Sequence, residues 1–298
     1  MKSLNRNTLR VAALAGALLA ATSAGLANEV QPQEVHDASR VVAVGGSITE
    51  IVYALGEEGR LIARDSTSVF PDAALKLPDV GYMRALSPEG VLSVDPTLIL
   101  ALEGSGPPEA VEVLRKASVP MVTVPEKFDR EGILEKIRIV GETLDVEEKA
   151  RALADDVDKD IQAAEKATGS IESRRKVLFV ISMQGGRIMA SGTGTAADGI
   201  IRMAGGDNVI SDFSGYKQLT DEAVISAAPE IILMMDRGAS LDAPNQELLS
   251  HPAIAPTPAG KDGKVIRMDG AYLLGFGPRT AAAVRDLSAA LYGETIQN

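Results

Sequence analysis

Tyr82 and Arg84 stand two apart in the segment Leu77–Ser93, LPDVGYMRALSPEGVLS, of a 298-residue chain that has no cysteine and only two histidines. A phenolate oxygen suits ferric iron, and tyrosine is among the axial ligands that proteins use to hold haem. A cation nearby lowers the cost of ionising the phenol. With thiolates missing and imidazoles scarce, this pair is the strongest candidate for hard-metal chemistry. On the residues alone a plainer account stands beside it, with Tyr82 a turn aromatic and Arg84 a surface cation. No Ser/His/Asp set, C-x-x-C pair or H-E-x-x-H run stands out, which leaves little machinery for catalysis. GGSIT and SGTGT lack both the P-loop lysine and the G-x-G-x-x-G spacing, so they read as strand-to-helix turns.

The elements that must position the pair are legible on both sides of it. Ser87 reads as an N-cap, Pro88 as the first helical residue and Glu89 as a first-turn acid, so Tyr82 lies on a loop feeding a helix. Residues 87–102, SPEGVLSVDPTLILAL, align without a gap on the run from Thr220, at an offset of 133. Ser87 falls on Thr220, Glu89 on Glu222, Pro96 on Pro229 and Ile99 on Ile232. Upstream, a strand at Arg40–Val44 precedes a capping-box pattern, Ser47-Ile48-Thr49-Glu50, and a strand at Lys176–Ile181 precedes Thr195-Ala196-Ala197-Asp198. A β-loop-helix-β unit is thus written twice, which predicts two similar α/β lobes with a ligand cleft between them. The repeat also sets Gly81-Tyr82 and Gly215-Tyr216 in near-equivalent loops on facing lobes.

Between the copies, apolar residues at Ile133, Ile137, Val140 and Leu144 predict a helix broken near Gly141–Asp145, then a second helix over Val146–Ala167, about 33 Å long. This long α-helix connects the lobes. The expected organisation is a signal peptide at 1–27, an N-terminal lobe at 28–128, a helical connector at 129–170 and a C-terminal lobe at 171–298. About 270 mature residues suffice for two lobes with separate cores.

Lys2, Arg6 and Arg10 precede an apolar run, Val11–Ala21, and the small-residue end Gly25-Leu26-Ala27, the layout of a secretory signal cleaved after Ala27. The absence of cysteine excludes a lipid anchor and a disulfide framework, so a free periplasmic protein stabilised by burial is expected. Losing those three cations takes the net charge from −11 to −14, which argues against nucleic acid as a partner.

The G-Y-M-R-x-L-S-x-E-G wording around Tyr82 resembles the periplasmic haem-binding proteins of bacterial haem-uptake ABC transporters. The similarity runs from about Arg40 to Gly293, through GGSITEIVYALG, MASGTGTAADGIIRMAG and LLGFGPR. It implies the fold of the binding proteins that serve iron-complex and cobalamin importers, with small lobe closure around a largely pre-formed site. It also implies Tyr82 as axial ligand to ferric haem iron and Arg84 as its support. Tyr272 is a weaker ligand alternative, and Tyr216 is either a cleft wall or an unremarkable loop aromatic. Haem needs soft walls and cations for its carboxylates. Met83, Met183, Met234 and Met235 are wall candidates, the last two also reading as strand core; Arg187 and Arg237 are candidate propionate partners. Some relatives carry a histidine in the second lobe; Ser182–Gly186 has none, and neither His36 nor His251 is a convincing ligand, so one five-coordinate haem is expected. The implied partners are an outer-membrane receptor as haem source and a membrane ABC permease with its ATPase. Glu109 and Glu247 are candidates for docking on that permease, or else plain first-turn glutamates. The competing readings are a ferric-siderophore or cobalamin carrier on the same scaffold and a haem-processing enzyme.

Overall fold

The structure, a computed structural model, describes residues 37–236 and 245–293. The export signal, His36 and Arg237 lie outside the described residues. Short, largely apolar runs make an all-parallel sheet of four strands: β1 (Val41–Val44), β2 (Leu61–Arg64), β3 (Leu98–Leu102) and β4 (Met121–Val124), in the order β2-β1-β3-β4. Such strands are covered on both faces, which is why β1 and β3 are buried at every position. The strand order reverses at β1 and β3, so the crevice of this lobe opens at their carboxyl ends. Gly45 forms the turn there, at φ 116, where an added Cβ would lie 2.8 Å from the Cβ of Leu102.

Helix α1 (Gly46–Ala54) follows directly. The expected capping box at Ser47–Glu50 is not formed: the cap is Gly45, without a side-chain bond, and the Glu50 carboxylate pairs with Arg279 instead. By contrast, α2 (Pro88–Leu92) is capped as expected, with Ser87 Oγ accepting from the Gly90 N–H at 3.3 Å. After β3 comes α3 (Pro108–Lys116). The connector is a helical hairpin of α4 (Arg130–Thr143) and α5 (Glu147–Gly169). The chain turns at Asp145, in the left-handed region at φ 55, within the expected break. Gly141 lets the two helices touch, since a Cβ there would lie 2.1 Å from that of Ala150. At 23 residues, α5 is about 35 Å long.

The second sheet is built from β5 (Lys176–Gln184), β6 (Arg187–Ser191), β7 (Asp207–Asn208), β8 (Tyr216–Gln218), β9 (Ile231–Asp236) and β10 (Val265–Asp269). Its order is β10-β9-β5-β6-β8, with β7 beside β5; β6 runs antiparallel to β5 and β8. Its helices are α6 (Ala196–Met203), α7 (Asp221–Ala227), α8 (Asn245–Leu249), α9 (Pro258–Asp262), α10 (Gly270–Leu274) and α11 (Thr280–Tyr292). The repeat holds: α7 and β9 stand where α2 and β3 stand, and Thr220 Oγ1 accepts from the Ala223 N–H at 3.2 Å as Ser87 does from Gly90.

The cores are not separate. One cluster of buried side chains runs from the first sheet through α4 and α5 into α6, α11 and one face of the second sheet, while a smaller cluster lies on that sheet's other face. Phe128, just before α4, meets Phe276 edge to face at 5.3 Å. Gly199 of α6 comes so close that a Cβ would lie 2.5 Å from the Phe128 carbonyl oxygen. The helical connector packs into this cluster, so the lobes share apolar surface.

Candidate functional site

The Tyr82 loop is fastened from below by charge. At the end of β2, the buried Arg64 guanidinium donates to the carbonyls of Ala74 at 3.2 Å and Asp65 at 3.0 Å, and to Asp79 Oδ2 at 3.1 Å. The other Asp79 oxygen accepts from the Gly81 N–H at 2.8 Å, and the Ser66 N–H donates to the Gly81 carbonyl at 2.9 Å. Gly81 sits at φ 101, a conformation that costs glycine little and a side chain much. The Ala85 N–H closes a turn on the Tyr82 carbonyl at 2.8 Å, and Gly106 clips the far side, donating to Met83 and accepting from Leu86 at 2.8 Å each. The backbone is thus fixed while the Tyr82 side chain stands 45% exposed. Exposed phenol on a fixed loop is the form expected of a pre-formed ligand.

Tyr216 answers it from the other lobe. It opens β8 rather than lying in a loop, and its ring meets Phe179 edge on at 6.5 Å. Burial pushes its phenol above the ordinary range; the Thr195 hydroxyl, Arg84 and the Ala197 N–H at the start of α6 pull the other way, and Tyr82 adds a little upward. Arg84 and Tyr82 act on this hydroxyl from across the lobe junction, so the structure brings Tyr82, Arg84 and Tyr216 to one place. Arg84 itself is exposed and makes no hydrogen bond among the described residues.

Other candidates lie elsewhere. Tyr272 is spoken for: its hydroxyl donates to Asp286 at 2.8 Å, and burial together with that carboxylate raises its pKa well above the phenol range. As an iron ligand Tyr272 would have to break this bond to give up its proton, which an exposed Tyr82 does not require. Met83 is 7% exposed and packs in the shared core, so it anchors the loop rather than offering a wall. Met234 is core in β9, and Met183 and Met235 are partly buried against the two clusters. Arg187 is exposed at the tip of the β5–β6 hairpin, whose Gly186 carbonyl bonds His251 Nε2 at 2.8 Å, apart from the Tyr82 group. Glu109 and Glu247 are both exposed in the first turns of α3 and α8, each the helix after a repeat strand.

Sequence reasoning missed the polar side chains that join the lobes. Arg279, ahead of α11, pairs with Glu50 at 3.0 Å, lies over the Phe70 ring at 3.6 Å and faces the Tyr272 ring at 5.1 Å. With Val69, Asp72 and Asp269 these residues line a cavity of about 360 Å³. It missed Lys136 too, although a signal was there: a lysine one step from Ile137 and three from Ile133, on the apolar stripe of α4.

A solved structure described as the periplasmic heme-binding protein BhuT in complex with two hemes is 40% identical and superposes with a TM-score of 0.80, covering 85% of this chain and 97% of that one. The apo periplasmic heme-binding protein RhuT from Roseiflexus sp. RS-1 is 36% identical with a TM-score of 0.81, covering 88% of this chain and 100% of that one. Among curated relatives, the ABC transporter substrate-binding lipoprotein YvrC of Bacillus subtilis is 26% identical across 90% of this chain and 88% of its own length. A vitamin B12-binding protein of Pectobacterium carotovorum is 27% identical across 72% of this chain and 79% of its own length. The family model described as periplasmic binding protein matches residues 41–272. By that match the chain belongs to the periplasmic binding protein family.

Proposed function

We propose that this protein binds haem in the cleft between its lobes, holds the ferric iron through the Tyr82 phenolate, and delivers it to an ABC permease. The observation that carries this is the exposed Tyr82 side chain on a loop fastened by Arg64 and Asp79, with Arg84 beside it and Tyr216 facing it. Arg84 sets a positive charge beside the iron-bound phenolate, and Tyr216 supplies an aromatic wall. The likeness to BhuT and RhuT supports haem as the cargo. Members of this family bind substrates, and the role here is carriage rather than turnover. Residues 1–27 direct the chain to the periplasm, where it takes haem from an outer-membrane receptor.

Haemin titrated into the mature chain tests this. The expected result is one haem per chain and a high-spin ferric phenolate spectrum that Tyr82→Ala abolishes; an unchanged spectrum in that variant would sink the assignment. An endpoint of two haems would show a second guest, as in the BhuT complex with two hemes. The similarity to a vitamin B12-binding protein makes cyanocobalamin the competing ligand, and tighter binding of it than of haemin would overturn the haem reading. For docking, exposed Glu109 and Glu247 meet basic residues of the permease. Reversing both charges impairs uptake and leaves haemin binding intact.

A further inference from the structure

Among the large, fully buried side chains of the described residues one is a lysine. Lys136 of α4 has 0% of its side chain exposed. Its ammonium donates to Glu126 Oε1, just past β4, at 2.6 Å. Glu50 of α1 acts on the same ammonium, but that carboxylate is already held by Arg279 at 3.0 Å. A second cation acts on Glu126 through space, and it is Arg84 of the Tyr82 motif. The Glu103 carboxylate accepts the Glu126 N–H at 3.0 Å, which adds negative charge to the same corner.

Stability is a weak account of this lysine. A buried ion pair adds little over apolar side chains of the same volume, and the neighbours of Lys136 on α4 are isoleucine and valine. Burial lowers the Lys136 pKa and raises that of Glu126, and each partner pulls the other back towards its charged form. What the pair does change is the choice open to Arg84. A lone carboxylate at Glu126 would draw the guanidinium to the floor of the site, whereas in the structure Arg84 is exposed and unbonded.

Building on the haem reading, we propose that Lys136 is a positioning residue of the ligand site: by satisfying Glu126 it leaves Arg84 free to support the Tyr82 phenolate.

The test uses the mature chain with haemin, comparing wild type with Lys136→Met, Glu126→Gln and the double variant. Lys136→Met shifts the phenolate charge-transfer band towards that of Arg84→Ala and releases haemin about 10-fold faster, as loss of a group that orients a ligand does. Adding Glu126→Gln removes the competing carboxylate and returns band and rate close to wild type. Glu126→Gln alone leaves the band unchanged. A Lys136→Met protein with a lower Tm but a wild-type band and release rate overturns the proposal, as does a double variant no nearer to wild type than the single. Should Lys136→Met not fold, a shifted band in Glu126→Gln overturns it, because Glu126 would then itself support Arg84. Failure of the wild type to bind haemin is a different result, and takes down the haem reading together with this one.

Discussion

Tyr82 and Tyr216 approach one another from opposite lobes at near-equivalent points of the repeat, the first on a loop and the second at the start of β8, and their surroundings differ. Tyr82 is 45% exposed on a loop held by the Arg64–Asp79 pair. Tyr216 is half-buried at a sheet edge, packed on Phe179, with burial pushing its phenol above the ordinary range. A phenol that must become an anionic iron ligand needs access and a cation; a phenol that serves as a wall needs packing and a fixed proton. The same residue type in near-equivalent repeat positions thus stands in two environments, the first suited to a ligand and the second to a wall.

The sharpest way to break this contrast is to remove each hydroxyl in turn. Tyr82→Phe should abolish the charge-transfer band and weaken haemin binding by about 100-fold, the upper end of what is lost around a metal ligand. Tyr216→Phe should keep the band and weaken binding by about 3-fold, the scale of one hydrogen bond. Equilibrium titration at neutral pH separates them, and equal losses in the two variants would end the distinction.

Much of this contrast is local and was therefore visible in the sequence. Ser87 and Thr220 cap their helices, Pro96 and Pro229 precede β3 and β9, and the connector breaks at Asp145, because each is set by residues within a turn of one another. The motif around Tyr82 likewise lies within a few residues. What stayed hidden is non-local. Glu50 fits a capping box by spacing, yet its partner Arg279 lies 229 residues away. Tyr272 looked free because Asp286 is 14 residues on, across the junction of α10 and α11. Chain length leaves room for two separate cores and says nothing of whether they merge; Phe128 against Phe276 shows the connector's entry packed into a shared one.

A second contrast lies in how the two tyrosine loops are tied down. Gly81 hangs on the Asp79 carboxylate, whereas Gly215 is held by backbone bonds, donating to Thr193 at 3.0 Å and accepting from Gly192 at 2.8 Å. Asp79→Ala should therefore loosen the Tyr82 loop. Stability falls by about 1–2 kcal/mol, held down by the exposure of the Asp79 side chain, and haemin binds about 10-fold more weakly with its band intact. Ser214→Ala, which removes only an exposed hydroxyl bond to Thr193, should change neither. Denaturant midpoints and titrations on the pair decide the matter, and an Asp79→Ala protein as tight as wild type would show that the loop does not depend on its carboxylate.

Tyr272 supplies the smallest effect and the cleanest control for Tyr82. Its hydroxyl donates to Asp286, and burial with that carboxylate holds the proton on in the folded protein well above the ordinary phenol range. The unfolded chain releases the same proton near pH 10. Unfolding therefore sheds a proton in alkali, so the stability this group gives is fully present below about pH 10 and is lost as pH rises beyond it. Tyr272→Phe should cost about 0.5–1 kcal/mol at neutral pH, since the bond is open to solvent, and should flatten the alkaline decline. The haemin spectrum should not move. Urea midpoints from pH 7 to 11, read beside the spectrum, separate a structural phenol from a ligand: a shifted band at pH 7 in Tyr272→Phe would place iron on the second lobe and reverse the roles of the two tyrosines.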